Sequence, residues 1–331
     1  VLADVREEIE KQEARLDAAA EARKRDAKRY IANFVNSLET GVLTHKKVKY
    51  SKNSISIWQQ FGRIFNDFYS IHKVETLDDI NTRYVEKFSA YLLARYLKST
   101  WVRYISCLCT ILKRAENDEL RTKSIPSNMF YRPVVKPTDG MTEIYLTKDE
   151  LDALYKMELT GLMEKVRDVF LVGAFTAQRF SDYSRIDASC IGYTAKGVKV
   201  IRLVQIKTKT EVVVPILDER LVMLLDKYDY NLPNINDVGF NRYIKVICKH
   251  LADSVPSLNE SVTTMLNKIE REAEERGTMM FRRDEQGRVL KYRWEMVSSH
   301  TARRTAITLM HLSGRFPIPQ LMRVSGPTKV D

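Results

Sequence analysis

The sequence lacks the features that would commit it to several common classes. None of its apolar runs approaches the ~20 residues needed to span a bilayer. Residues 1–29 are too charged for a secretory leader, with 8 Lys/Arg against 8 Asp/Glu. Thiols are scarce: Cys107, Cys109, Cys190 and Cys248 are the whole inventory. Cys107 and Cys109 have no partner pair at zinc-ligand spacing, so the four read as reduced thiols of a cytosolic protein. Asp, Glu and His form no cluster at metal-ligand spacing. Tyrosine is absent after Tyr292, and the chain opens on Val1 rather than methionine, as a trimmed chain would.

What is present is positive charge. The net charge is +11 and the isoelectric point is near 9.3, which favours a polyanionic partner. The excess is uneven. Residues 30–133 hold 16 Lys/Arg against 9 Asp/Glu, whereas residues 134–331 hold 30 against 26. The middle segment is therefore the expected electrostatic footprint on nucleic acid.

The length favours two domains. Residues 2–28 read as one helix, with Leu2, Val5, Ile9, Gln12, Leu16 and Ala19 at the spacing of a narrow coiled-coil seam. Such a helix would lie on a neighbour, couple to an upstream domain or join protomers. Residues 30–133 read as all-helical, with apolar residues at helical spacing and a dense aromatic set (Tyr30, Phe34, Trp58, Phe61, Phe65, Phe68, Tyr69) assigned to the core. Ser51, Asn53 and Ser54 precede one helix there, and Ser99 and Thr100 precede another. Both helix starts sit beside cations, so they would suit capping or a phosphate. The stretch 124–145 has three prolines and no period, as a linker does. The resulting partition is a charged coupler helix 1–29, a helical domain 30–133, a linker 134–145 and a second domain 146–331. Thr147 and Glu150 form a capping-box pattern at the start of that domain. A buried helix follows around "KVRDVFLVGAFTAQ". "VKVIRLVQIKTKTEVVVPI" then reads as a hairpin turning at Lys207–Thr210. Helices are expected at 216–228, 238–253 and 258–276, an irregular stretch at 277–297, and a last helix from Ser298 or Ser299. The fold class is mostly α with a small antiparallel sheet, that is α+β.

Three places could carry chemistry. In "SSHTARRT", His300 and Arg303 share a face of a helix start, where free amides and the helix dipole already favour an anion. Arg303's planar fork suits phosphate. The same pattern also fits a capped helix whose arginines pair with surface carboxylates. Arg179 follows the apolar run in "AFTAQRFSD", with Asp182 three residues on as a candidate ion partner. Lys207 sits at the hairpin tip, where it would reach a ligand or simply be solvated.

Taken together, "TAQRFSD", "KTKTEVVVPI" and "SHTARRT" resemble, in order and spacing, the boxes of the tyrosine recombinases of the phage-integrase family. "YLTKDEL" resembles the opening of their catalytic domain, and residues 30–133 resemble their SAM-like core-binding domain. The resemblance covers roughly residues 30–331. It implies a site-specific DNA recombinase of a mobile element, with Arg179, Lys207, His300 and Arg303 catalytic and Asp182 supporting. Lys209 is the alternative to Lys207. The reaction it implies passes through a 3′-phosphotyrosine without metal or cofactor. His311 is assigned to packing and Arg304 to a structural neighbour. The helix starts of the core-binding segment imply DNA contacts from Lys46, Lys47, Lys49, Lys52, Ser54, Lys98, Thr100 and Arg103. The implied partners are duplex recombination sites, further copies of the chain up to a tetramer on DNA, and DNA-bending accessory proteins. The implied location is the bacterial cytoplasm and nucleoid, with no membrane.

Two features depart from the family. Pro327, in "VSGPTKVD", stands where a second histidine or a tryptophan is usual, and proline donates no hydrogen bond. No residue matches the nucleophilic tyrosine, so the chain as written is expected to bind DNA without cleaving it. A type IB topoisomerase-like enzyme and a non-catalytic DNA-binding protein of recombinase descent are the alternatives.

Overall fold

A computed structural model describes residues 2–44, 47–131 and 142–326. Backbone packing divides the chain into two compact units, residues 1–140 and 141–331.

The N-terminal unit is helical: α1 (Leu2–Arg25), α2 (Ala27–Glu39), α3 (Lys52–Ile71), α4 (Thr82–Leu93) and α5 (Lys98–Asn117). The single helix expected over 2–28 is in fact two. Asp26 leaves the helical region, at φ −59° and ψ 119°, and its side chain accepts the Arg29 amide at 2.6 Å to start α2. Its neighbour Ala27 donates to the Glu75 carbonyl at 3.1 Å, so Asp26 acts as a corner rather than a helix interior. Leu16, on the expected seam, is exposed. Helices α2 to α5 close over Phe61, Phe65, Phe68 and Phe88, with Tyr84, Trp101 and Tyr104 around them. The rings meet edge-on or tilted, at centroid separations of 5.0 Å for Phe68–Phe88 and 5.8 Å for Phe65–Phe88. Ser51 caps α3 by accepting the Ser54 amide, which places Asn53 and Ser54 inside the first turn. Helix α5 starts earlier than its hydroxyls imply. Leu97 is its cap residue, without a side-chain bond, and Ser99 and Thr100 lie within the first turn.

The C-terminal unit contains α6 (Lys148–Lys156), α7 (Gly161–Thr176), α8 (Phe180–Tyr183), α9 (Glu219–Lys227), α10 (Asp237–Leu251), α11 (Lys268–Glu275), α12 (Arg293–Met296), α13 (Ser299–Leu312) and α14 (Ile318–Ser325). The capping box at Thr147 forms as the sequence implies: Thr147 Oγ1 accepts the Glu150 amide and Glu150 accepts the Thr147 amide. Helix α7 is the axis of this unit. Val169, Phe170, Leu171 and Val172 are fully buried, and α10 and α13 pack on it. Two three-stranded antiparallel sheets flank the helices: β1 (Ile191–Tyr193), β2 (Lys199–Val204) and β3 (Glu211–Pro215), and then β4 (Ser261–Thr264), β5 (Arg282–Arg283) and β6 (Val289–Tyr292) in the order β4-β6-β5. The second sheet corrects the sequence reading. A helix is expected over 258–276, but β4 and α11 divide it, because the Asn267–Glu270 capping box starts a helix only at Lys268. The stretch 277–297, expected to be irregular, supplies β5, β6 and α12.

Candidate active site

Helix α7 ends at Ala177, whose left-handed φ of 58° turns the chain sharply. The turn is packed from behind. A Cβ on Gly173 would meet the Tyr183 ring at 2.5 Å, so α7 and α8 approach at a distance that only glycine allows. Gln178 follows the turn, and Arg179, in extended backbone, opens α8 three residues past the end of the apolar helix.

Arg303 lies on α13 and is 8% exposed. Its Nη1 donates to the Ala177 carbonyl at 2.7 Å and to the Ser325 carbonyl at 2.8 Å. Burial, and then the like charge of Arg179, pull its pKa down to about 10, against the opposing attraction of Asp182. Two guanidiniums therefore feel each other at the meeting of the α7–α8 turn, α13 and the end of α14. Arg303 has no carboxylate bonded to it among the described residues, only carbonyls.

Asp182, assigned as the support of Arg179, does something else. It is fully buried, and among the described residues its carboxylate makes no bond to Arg179; only its backbone amide does, donating to the Arg179 carbonyl at 2.8 Å. Its Oδ1 accepts the Ile206 amide at 2.8 Å and lies 3.6 Å from Arg185, while Oδ2 has no partner. It pins the β2–β3 turn. The partner of Arg179 is Gln205, whose Oε1 accepts Nη1 at 2.9 Å. Gln205 is also fully buried, and Nε2 donates to Gln178 Oε1 and to the Ser325 carbonyl, both at 2.8 Å. Gln178 in turn donates to the Thr176 and Val324 carbonyls. The two glutamines escaped the sequence reading. Their signal was present. Ile201, Leu203 and Gln205 continue one inward-facing alternation, and a polar residue in that register needs partners. Gly326 completes the set. Its φ is 85°, and a Cβ there would come within 2.1 Å of the Gln205 amide.

Lys207 stands exposed in the turn between β2 and β3, and no partner holds it among the described residues. Lys209, the alternative, has a left-handed φ of 57° and spends its amide on the Gln205 carbonyl. Ser298 is the cap residue of α13, and its backbone amide donates to Thr301 Oγ1. The Ser299 amide is already taken by Asn241 Oδ1 at 2.7 Å, which leaves fewer free donors at this helix start than the sequence implies. His300 is exposed. Partial burial of its ring, then Arg304 and Arg303, lower its pKa below 6.5. Arg304 pairs with Glu143 at 2.7 Å. His311 is exposed, not packed, because it faces outward at the end of α13. Pro327 lies outside the described residues.

The candidate DNA contacts belong to the N-terminal unit. Lys47, Lys49, Lys52 and Arg103 are exposed, Ser54, Lys98 and Thr100 are partly buried, and Lys46 lies outside the described residues. Ser54 Oγ is 3.0 Å from Ser51 Oγ, so one of its hydrogen bonds serves the α3 cap. Cys107, Cys109 and Cys248 are buried thiols, and burial pushes Cys107 and Cys248 up to about 12. No described helix is long and apolar enough to cross a membrane.

Comparison with known proteins fits this arrangement. Residues 33–130 match the family model described as the phage integrase SAM-like domain. Among solved structures, the chain is similar to a lambda integrase dimer bound to a core site, at 12% identity and a TM-score of 0.58, covering 92% of this chain and 96% of that one. It is similar to the Tn1549 transposon integrase in complex with transposon right-end DNA, at 13% identity and a TM-score of 0.59, covering 92% of each chain. It is also similar to the XerH site-specific recombinase bound to its difH substrate before cleavage, at 14% identity and a TM-score of 0.54, covering 88% and 76%. No curated protein matches by sequence. The chain thus joins a phage integrase SAM-like domain to a unit with two small antiparallel sheets, and its fold is that of the tyrosine recombinases.

Proposed function

We propose that the protein is a site-specific DNA recombinase that integrates a mobile element, acting by transesterification at a phosphodiester. One observation carries this reading: Arg179 and Arg303 belong to one hydrogen-bond relay, Arg179 on Gln205 and both Gln205 and Arg303 on the Ser325 carbonyl, with carbonyl and amide groups rather than carboxylates bonded to each. Ion-paired arginines would serve structure; arginines held by neutral acceptors keep their positive charge for an incoming anion. Both would clamp the non-bridging oxygens of the scissile phosphate as charge grows on them.

The other roles follow from position and chemistry. A tyrosine hydroxyl, which no residue of this sequence is assigned to supply, attacks phosphorus, the P–O5′ bond breaks, and a 3′-phosphotyrosine and a free 5′-hydroxyl result. Lys207, on its turn, gives a proton to the departing 5′-oxygen. His300, neutral at pH 7 because its pKa is lowered, takes the proton of the attacking hydroxyl. Attack by the 5′-hydroxyl of a second strand reverses the step, so no hydrolysis is needed. The exposed cations of the N-terminal unit would hold the duplex through its phosphates. Related structures include a lambda integrase tetramer on a Holliday junction, and a tetramer on DNA is the assembly proposed here.

The test is a suicide duplex carrying a site that the full-length protein has selected from a randomised pool. A covalent 3′ adduct, lost in Arg303→Ala, is the expected result. No adduct, or an adduct unaffected by Arg303→Ala, overturns the reading. Relaxation of a supercoiled plasmid that lacks the site would instead place the chemistry with type IB topoisomerases.

A further inference from the structure

No partner holds the Lys207 side chain among the described residues, yet both of its neighbours in the turn are tied. On one side, the Ile206 amide donates to Asp182 Oδ1 at 2.8 Å. On the other, Thr208 Oγ1 donates to Gln205 Oε1 at 2.8 Å. That same oxygen accepts Arg179 Nη1 at 2.9 Å. With Nε2 bonded to Gln178 and Ser325, the Gln205 amide uses two acceptor and two donor positions, the full complement a glutamine side chain has. A fully satisfied, fully buried amide has no cheap alternative rotamer, because any turn about its last torsion exchanges oxygen for nitrogen and breaks all four bonds. Gly326 closes the space on its other side.

We propose that Gln205 and Thr208 are positioning residues that set the turn of Lys207 against Arg179, so that one amide oxygen fixes the distance between the phosphate clamp and the proton donor. The inference rests on the reading of Lys207 as the acid for the leaving 5′-oxygen. Thr208 is the more informative of the two. It touches only the Lys207 side of the relay, whereas Gln205 also carries Arg179 and the end of α14. Loss of the Thr208 hydroxyl leaves Arg179–Gln205 in place and frees the turn on one side.

The experiment uses the full-length protein and the selected suicide duplex, in two forms. One has an ordinary 5′-oxygen at the cleavage point; the other has a bridging 5′-sulfur, whose thiolate leaves without a proton. Thr208→Val, which keeps shape and removes the donor, is expected to slow single-turnover cleavage of the oxygen substrate by about 10- to 100-fold, the scale of a small misplacement of a catalytic group, with DNA affinity unchanged. Thr208→Ser is expected to restore the rate, and the sulfur substrate to rescue Thr208→Val. Lys207→Ala is the control. If the sulfur substrate fails to rescue Lys207→Ala, the assignment of Lys207 as the acid is wrong. If it rescues Lys207→Ala but not Thr208→Val, or if Thr208→Val cleaves the oxygen substrate at the full rate, the positioning relay is wrong and the acid stands.

Discussion

The two units handle positive charge in opposite ways. In the N-terminal unit the core is aromatic and apolar, built on Phe61, Phe65, Phe68 and Phe88, and the candidate cations Lys47, Lys49, Lys52 and Arg103 stand in solvent. In the C-terminal unit a guanidinium enters the core, and polar groups are arranged around it: two backbone carbonyls, a pair of buried glutamines and an unpartnered carboxylate oxygen. The difference fits the role proposed for each charge. Exposed cations cost little to keep and act additively on a polyanion, each worth a modest, salt-dependent increment. A buried guanidinium costs much to desolvate and is tolerated where hydrogen bonds such as those to the Ala177 and Ser325 carbonyls offset that cost, but in return it is rigid and strongly felt by an anion that reaches it.

Substitutions can break this contrast in order of size. Phe68→Ala, in the aromatic core, should cost about 3–5 kcal/mol of stability in the N-terminal unit, read as a drop in its unfolding midpoint. Arg303→Ala should lower the single-turnover cleavage rate by about 10²–10³-fold, as for loss of one oxyanion donor, while duplex binding at low salt survives. It would also leave the Ala177 carbonyl without this donor, so a melting curve should accompany the kinetics. Gly326→Ala forces a methyl into the Gln205 amide from a left-handed φ and should destabilise the C-terminal unit by about 1–3 kcal/mol. Apparent loss of activity should follow, because the Ser325 carbonyl that Arg303 and Gln205 share lies next to it.

Smaller effects sharpen the contrast. His300 has a lowered pKa in the folded protein, so between that value and the unfolded value near 6.5 the unfolded chain binds more protons. The stability that neutral His300 contributes is present above about pH 6.5 and is lost as pH falls through its folded pKa. Cleavage should decline over the same window, and His300→Gln should flatten both profiles, as measured by melting and by single-turnover rates. Smallest of all, replacing Lys49, Lys52 or Arg103 singly by Ala should barely alter cleavage at saturation. Each that contacts a phosphate should reduce the slope of log affinity against log salt by about 0.9. A substitution there that stopped cleavage without changing that slope would erase the distinction between the units.

Much of the fold was legible because it is local. Helical spacing marks α3, α4 and α5, the Thr147–Glu150 pair starts α6, and the β-branched runs around Lys207 give β2 and β3. The errors come where a single residue overrides a pattern. Asp26 interrupts a good helical period because its side chain caps the next helix better than it fits inside one. Ser99 and Thr100 look like caps but lie within the first turn of α5, and the residues after Leu258 form β4 because β6 is there to pair with them.

The sequence by itself determined the candidates for meeting a phosphate: Arg179, Lys207, His300 and Arg303 are proposed from the resemblance of their boxes, in order and spacing. Only the tertiary structure decided how they are held. The Asp182 carboxylate, three residues from Arg179 in sequence, serves the Ile206 amide, while the side-chain partner of Arg179 is Gln205, just past the end of β2 and 26 residues away. Arg303 is fixed by carbonyls 126 and 22 residues distant. The physical reason is that a buried polar group must find a partner within hydrogen-bond reach, and in a packed core that reach is set by which elements touch, not by which residues are neighbours along the chain.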